Sequence, residues 1–184
     1  SMVTTSIVSD VSMPSKISSP TDAAAVAVGN SIVYLGTIIS HSMPIVAAVG
    51  NCFLDIIVSI DEGSNIVIST LRERKFIHTF KVDCFSNSVH FLKILLSGVI
   101  VLSSQVPGGK NSEILFFDFC GNILGKIQND SCIEALEVVS AKDMQEFVVV
   151  STSSKSIIIY ECSDFKMVSH FTNHTVPRFI SFIE

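Results

Sequence analysis

Apolar residues in this chain fall into short runs separated by polar turns, and the runs recur in pairs. Three pairs read alike: Ile66–Phe80 (IVISTLRERKFIHTF), Ile114–Ile127 (ILFFDFCGNILGKI) and Ile157–Phe171 (IIIYECSDFKMVSHF). In each, an apolar run meets a tight turn and a second apolar-patterned run follows. The equivalent positions Thr70, Asp118 and Glu161 recur about every 43 to 48 residues, the period of a four-stranded propeller blade. Ile, Val and Phe dominate the runs, and branched or aromatic side chains suit a pleated, packed surface. No stretch sustains helical spacing. The nearest candidate, Ser131–Met144, has Cys132, Ile133, Ala135, Leu136, Val138 and Val139 on one potential helical face, but its place in the repeat assigns it to a strand.

With the strands of a blade lettered a to d, the pattern predicts three complete units. The first has a at Ile45–Val49, b at Asp55–Ser59, c at Ile66–Thr70 and d at Phe76–Phe80. The second has a at Val89–Leu95, b at Val99–Ser103, c at Ile114–Asp118 and d at Ile123–Ile127. The third has a at Ile133–Val138, b at Phe147–Ser151, c at Ile157–Glu161 and d at Met167–Phe171. Asp61-Glu62-Gly63-Ser64-Asn65 and Ser153-Ser154-Lys155-Ser156 supply polar b–c turns, and Cys120-Gly121-Asn122 a tight c–d turn. Partial units are expected on either side, a hairpin over residues 23 to 38 and a strand at Arg178–Ile183. The segment 1–21, rich in Ser and Thr with Pro14 and Pro20, is expected to be a linker or extended arm, leaving 22–184 to the blades.

The expected fold is therefore all-β, a WD40-like propeller with about three complete four-stranded blades plus partial ones. Closed propellers have four to eight blades. An open array of this kind exposes sheet surface, so the isolated chain is expected to homo-oligomerise.

Composition narrows the class. The chain is 48% hydrophobic and only 16% charged, which excludes disorder over most of its length. Net charge is −5, and only Arg72, Arg74 and Lys75 cluster among the basic residues, so no basic face is available for nucleic acid. Cys52, Cys84, Cys120, Cys132 and Cys162 show no C-x-x-C spacing and read as buried small hydrophobes in a reducing, cytoplasmic compartment. Two sequons, Asn129-Asp130-Ser131 and Asn173-His174-Thr175, point the other way, towards secretion. Ala23 to Leu54 lacks Lys, Arg, Asp and Glu, but Gly, Asn, Ser and Pro interrupt it at strand spacing, against a membrane-spanning helix.

The c–d junctions resemble the WD-repeat pattern, in which an aromatic residue and Asp close strand c. Phe117-Asp118 and Tyr160-Glu161 are decayed versions and Ser69-Thr70 a more degenerate one; no Gly-His dipeptide and no Trp occur. The order of the units is similar to the C-terminal propeller of BEACH-domain, neurobeachin-like proteins. Leu54–Phe80 matches a strand ending in Val-Ser, an acidic-Gly turn and a Thr-hydrophobic-Arg-type turn. Gln105–Glu113 (QVPGGKNSE) then matches an insertion between strands b and c, followed by Leu115–Gly125. The resemblance spans roughly residues 40 to 184. It implies a cytoplasmic scaffold in vesicle trafficking and membrane dynamics, contacting membranes peripherally.

Chemistry is sparse. His41, His78, His90, His170 and His174 do not converge into a ligand spacing, and Gly108-Gly109-Lys110 lacks the rest of a phosphate loop. No cofactor, metal or catalytic set is expected. Asp118 and Glu161 are read as turn acceptors. The expectation is a non-catalytic scaffold for proteins, with Arg72, Arg74 and Lys75 as the partner-binding residues. The alternatives are a propeller of another WD family, such as a coat component or ubiquitin-ligase adaptor, and a secreted propeller enzyme.

Overall fold

The computed structural model describes residues 41–83, 89–105, 108–141 and 143–172, all within the compact unit Ile38–Glu184. The expected arm at 1–21, the hairpin over 23–38 and the strand at Arg178–Ile183 lie outside the described residues. Twelve strands form three antiparallel four-stranded sheets, and the described residues contain no helix. The first sheet has β1 (Ile45–Asn51), β2 (Ile56–Asp61), β3 (Asn65–Thr70) and β4 (Phe76–Lys81). The second has β5 (Val89–Ile94), β6 (Ile100–Gln105), β7 (Ser112–Phe117) and β8 (Ile123–Asn129). The third has β9 (Ile133–Ser140), β10 (Glu146–Thr152), β11 (Ser156–Glu161) and β12 (Lys166–Thr172).

Each sheet is a plain meander in chain order, so the strands expected for the three complete units find their expected neighbours. Ser131–Met144 resolves as strand β9 and its flanking turns. Most strand ends shift by one or two residues from the expected ranges, and two of the differences have a clear local cause. Asp55 belongs to the turn before β2, because its φ of 56° is left-handed and cannot continue a strand. The insertion in the second sheet is shorter than Gln105–Glu113, since Gln105 pairs with Ser112 and Ser104 with Glu113.

Innermost strands lie side by side, β1 along β5 and β5 along β9, so the sheets fan out from a shared inner edge. Successive side chains of a strand point to opposite faces. Val58, Ile66 and Ile68 of the first sheet therefore pack against Ile100, Leu102, Leu115 and Phe117 of the second. From the other face of the second sheet, Val101, Ile114 and Phe116 pack against Val148, Val150 and Tyr160 of the third. The middle sheet is apolar at consecutive positions because both its faces are covered. Two cores result, one at each junction between sheets.

The second junction has a plug. Phe165, in the turn between β11 and β12, lays its ring 4.6 Å from that of Phe116 and over the backbone of β8. A side chain at Gly125 would overlap that ring. Gly125→Ala is expected to cost about 1–2 kcal/mol, because the ring is pinned between Phe116 and β8. Urea unfolding would measure it, and an unchanged midpoint would show that the ring can move aside.

Candidate interaction surface

Antiparallel meanders place the a–b and c–d turns at one end of every sheet. At that end, Leu71–Lys75 closes tightly: Thr70 N–H donates to the Lys75 carbonyl and Lys75 N–H to Thr70 Oγ1, each at 2.8 Å. Arg74 sits at the left-handed corner, with φ 57°. The turn is tied to the neighbouring a–b turn by Asp55, whose carboxylate accepts Arg72 N–H at 3.1 Å and lies 3.5 Å from Arg72 Nε.

The expected site residues Arg72, Arg74 and Lys75 are thus brought together on one exposed turn, and the Arg72 side chain is 80% exposed. The cluster is not a bare cationic patch. Lys75 Nζ stands 2.8 Å from Glu73 Oε2, and that hydrogen bond raises the lysine pKa and lowers the glutamate's. With Asp55 beside Arg72, most of the positive charge is balanced locally. Directly after the turn, Phe76 and Ile77 begin β4 at 57% and 49% exposure. The same arrangement recurs at the starts of β8, with Ile123 and Leu124, and β12, with Met167 and Val168, all exposed. The surface at this end is an apolar rim interrupted by paired charges.

A second polar constellation escaped the sequence reading. His41 Nδ1 lies 3.0 Å from Asp61 Oδ2 and Nε2 lies 2.7 Å from Ser59 Oγ. Ionised Asp61 only accepts, so Nδ1 carries the proton toward it. In the neutral ring Nε2 then accepts from the serine hydroxyl. Asp61 also accepts Asn65 N–H at 2.9 Å and the Asn65 amide at 3.0 Å. Burial by itself raises the Asp61 pKa. The hydrogen bonds from Asn65 and His41 outweigh it and hold the carboxyl below its ordinary value. In the third sheet Thr152, at the end of β10, takes the part of Asp61, its hydroxyl accepting Ser156 N–H at 3.3 Å. Asn129 is buried and its Oδ1 accepts the Tyr160 hydroxyl at 2.8 Å. These contacts fasten turns to strands. They present nothing to solvent.

Asp118 is a turn acceptor as expected, taking the N–H groups of Cys120 and Asn122 at 2.8 Å each; hydrogen bonds from Asn122 lead in lowering its pKa. The expectation of buried cysteines fails at all four described sites: Cys52 and Cys120 are exposed, because both sit in turns rather than on packed strand faces, and Cys132 and Cys162 are only partly buried. Cys162 is half-buried, and burial beside Glu146 and Glu161 pushes its thiol up to about 12. Cys84 lies outside the described residues. Among the described residues no group of His, Cys, Asp and Glu is placed to hold a metal ion, and no helix is long and apolar enough to cross a membrane.

No protein-family model matches the chain, and no curated protein matches it. Solved structures do. The structure of U3-55K superposes with a TM-score of 0.59 at 13% identity, covering 76% of this chain and 42% of that one. The RRP9 WD40 repeats superpose at 0.60 with 12% identity and the same coverage. BBS1N, solved in complex with ARL6DN, superposes at 0.53 with 14% identity, covering 72% of this chain and 40% of its own. This chain therefore spans less than half the length of the structures it matches. At these identities the likeness concerns fold alone, and with the meander order and the two stacked junctions it is decisive for fold: the chain has the architecture of a WD-repeat β-propeller, with three complete blades among the described residues.

Proposed function

We propose that the chain is a non-catalytic protein-interaction scaffold, and that the a–b and c–d turn end is its binding surface. The observation that carries this reading is the rim at that end, where Phe76 and Ile77 adjoin Arg72, Arg74 and Lys75 on turns held rigid by Asp55 and Thr70. Loops fixed on a rigid sheet scaffold are a common place for recognition. Apolar side chains edged by arginine and compensated charge fit a protein surface. A phospholipid headgroup layer would favour uncompensated cations.

The similarity in unit order to neurobeachin-like proteins supports a finer proposal, a cytoplasmic scaffold in vesicle trafficking whose membrane contact runs through its partners. A second reading, a propeller of another WD family, is favoured by the BBS1N likeness, since that protein was solved bound to a protein partner. Both assign the same surface. Against the secreted-enzyme alternative stands Asn129: it is 6% exposed with its amide nitrogen buried, which leaves no room for a glycan in the folded blade, while the second sequon, at Asn173, lies outside the described residues.

Replacing Arg72, Arg74 and Lys75 with Glu tests the surface. Proximity labelling in cells is expected to lose at least about tenfold of the specific protein signal, equal to ~1.4 kcal/mol, while the melting temperature stays put. An undiminished set of labelled proteins would retire these three residues as the site.

A further inference from the structure

We infer that the seam between the second and third blades, at the a–b and c–d turn end, is an anchor pocket for an arginine side chain of a protein partner. The inference rests on the proposal that this end is the interaction surface, and it adds the chemistry of what that surface takes.

The register shows where the pocket comes from. Ile100 pairs with Phe117 and Val148 with Tyr160, so Gly98 and Phe119 of the second blade stand where Glu146 and Cys162 stand in the third. At the first junction Phe119 packs on the core and lies against Gly98, which closes the seam. At the second junction Cys162 is too small to do the same. A notch of about 80 Å³ remains there, lined by Leu96, Ser97, Ser140, Met144 and Glu146. Small-molecule sites run to roughly 300–1,000 Å³, so this one holds a single side-chain tip.

Glu146 sets the charge of that tip. Successive side chains alternate in direction, so Glu146 continues the row of Val148 and Val150 towards the second blade. Both of its carboxylate oxygens accept the same N–H, that of Ser97, at 3.2 and 3.4 Å. A carboxylate offers about four acceptor sites, so most of its capacity is unused. Asp55, Glu73 and Asp164 at this end each have a cation within 4 Å. No cation among the described residues stands that close to Glu146. Beside it, Leu96 is half-buried and Met144 is 76% exposed, a soft side chain that adapts to what it meets. An apolar slot ending in an open carboxylate fits a flat guanidinium on an aliphatic stem better than a compact, strongly hydrated ammonium.

Panning a random dodecapeptide phage library on the 184-residue chain tests this. The selected peptides are expected to share an arginine. Glu146→Gln, confirmed folded by circular dichroism, should weaken the best synthetic peptide at least about tenfold in fluorescence anisotropy, or ~1.4 kcal/mol. Ser140→Arg, at the exposed mouth, supplies the chain's own guanidinium and should weaken the peptide likewise; it keeps the test informative if Glu146→Gln unfolds. Peptides without arginine, or unaffected by both variants, overturn the inference and leave the scaffold reading standing. Full affinity with lysine in place of the arginine overturns it too, because any cation would then serve. A chain that selects no peptide counts against both readings, whereas charge reversal of Arg72, Arg74 and Lys75 bears on the scaffold reading alone.

Discussion

Phe116→Ala is expected to destabilise the chain by about 3–5 kcal/mol, much of the stability of a domain this size. The ring is fully buried between the second and third blades, among Val101, Ile114, Val148, Val150 and Tyr160, with the Phe165 ring tilted against it at 4.6 Å. Removing it deletes apolar burial and leaves a void that cannot collapse, because the blades on both sides are tied by their own ladders. Urea denaturation followed by circular dichroism should show either a much lower midpoint or a split transition, with the third blade melting first. A loss below about 1 kcal/mol would mean that the junction repacks freely.

Asp61→Ala is the second large effect, expected at about 2–3 kcal/mol. The substitution leaves Asn65 N–H, the Asn65 amide and His41 Nδ1–H without their acceptor at a site only 1% exposed. A pH dependence accompanies it. The folded-state pKa of Asp61 is depressed, so its contribution is present above the unfolded value of about 3.9 and is lost as pH falls through the folded one. Wild type should therefore weaken on acidification below about pH 4, and Asp61→Asn should weaken less steeply there while being less stable at neutral pH. Parallel acid limbs for the two proteins would show that the carboxylate is not stabilised by its partners.

The blades were legible because their determinants are local. Apolar runs such as Ile66–Ser69 and Ile157–Tyr160, and turns such as Asp118–Asn122, carry their strand and turn signals within a few residues, and the long period then orders them. The candidate turn was legible for the same reason, being five consecutive residues. Its electrostatics were not, since Asp55, which holds Arg72, is 17 residues away. His41 was likewise opaque: its partners Ser59 and Asp61 lie 18 and 20 residues on. One clue was available. Ser59 and Asp61 alternate along one face of an otherwise apolar strand, and two polar groups on a packed face need a third to satisfy them. The Asn129 sequon was opaque too, since three residues say nothing about the burial of that side chain or the Tyr160 hydroxyl bonded to its Oδ1.

The middle blade links the two cores mechanically. Val101 and Leu102 are consecutive residues of β6, and Phe116 and Phe117 of β7, yet each neighbour of a pair belongs to a different core. No side chain spans both. A small slide of β6 or β7 that relieves crowding on one side necessarily crowds or loosens the other, because close-packed interiors transmit strain. Volume changes at the two junctions are consequently coupled through backbone: a substitution near Ile68 and one near Val150 are not independent, although their side chains never meet.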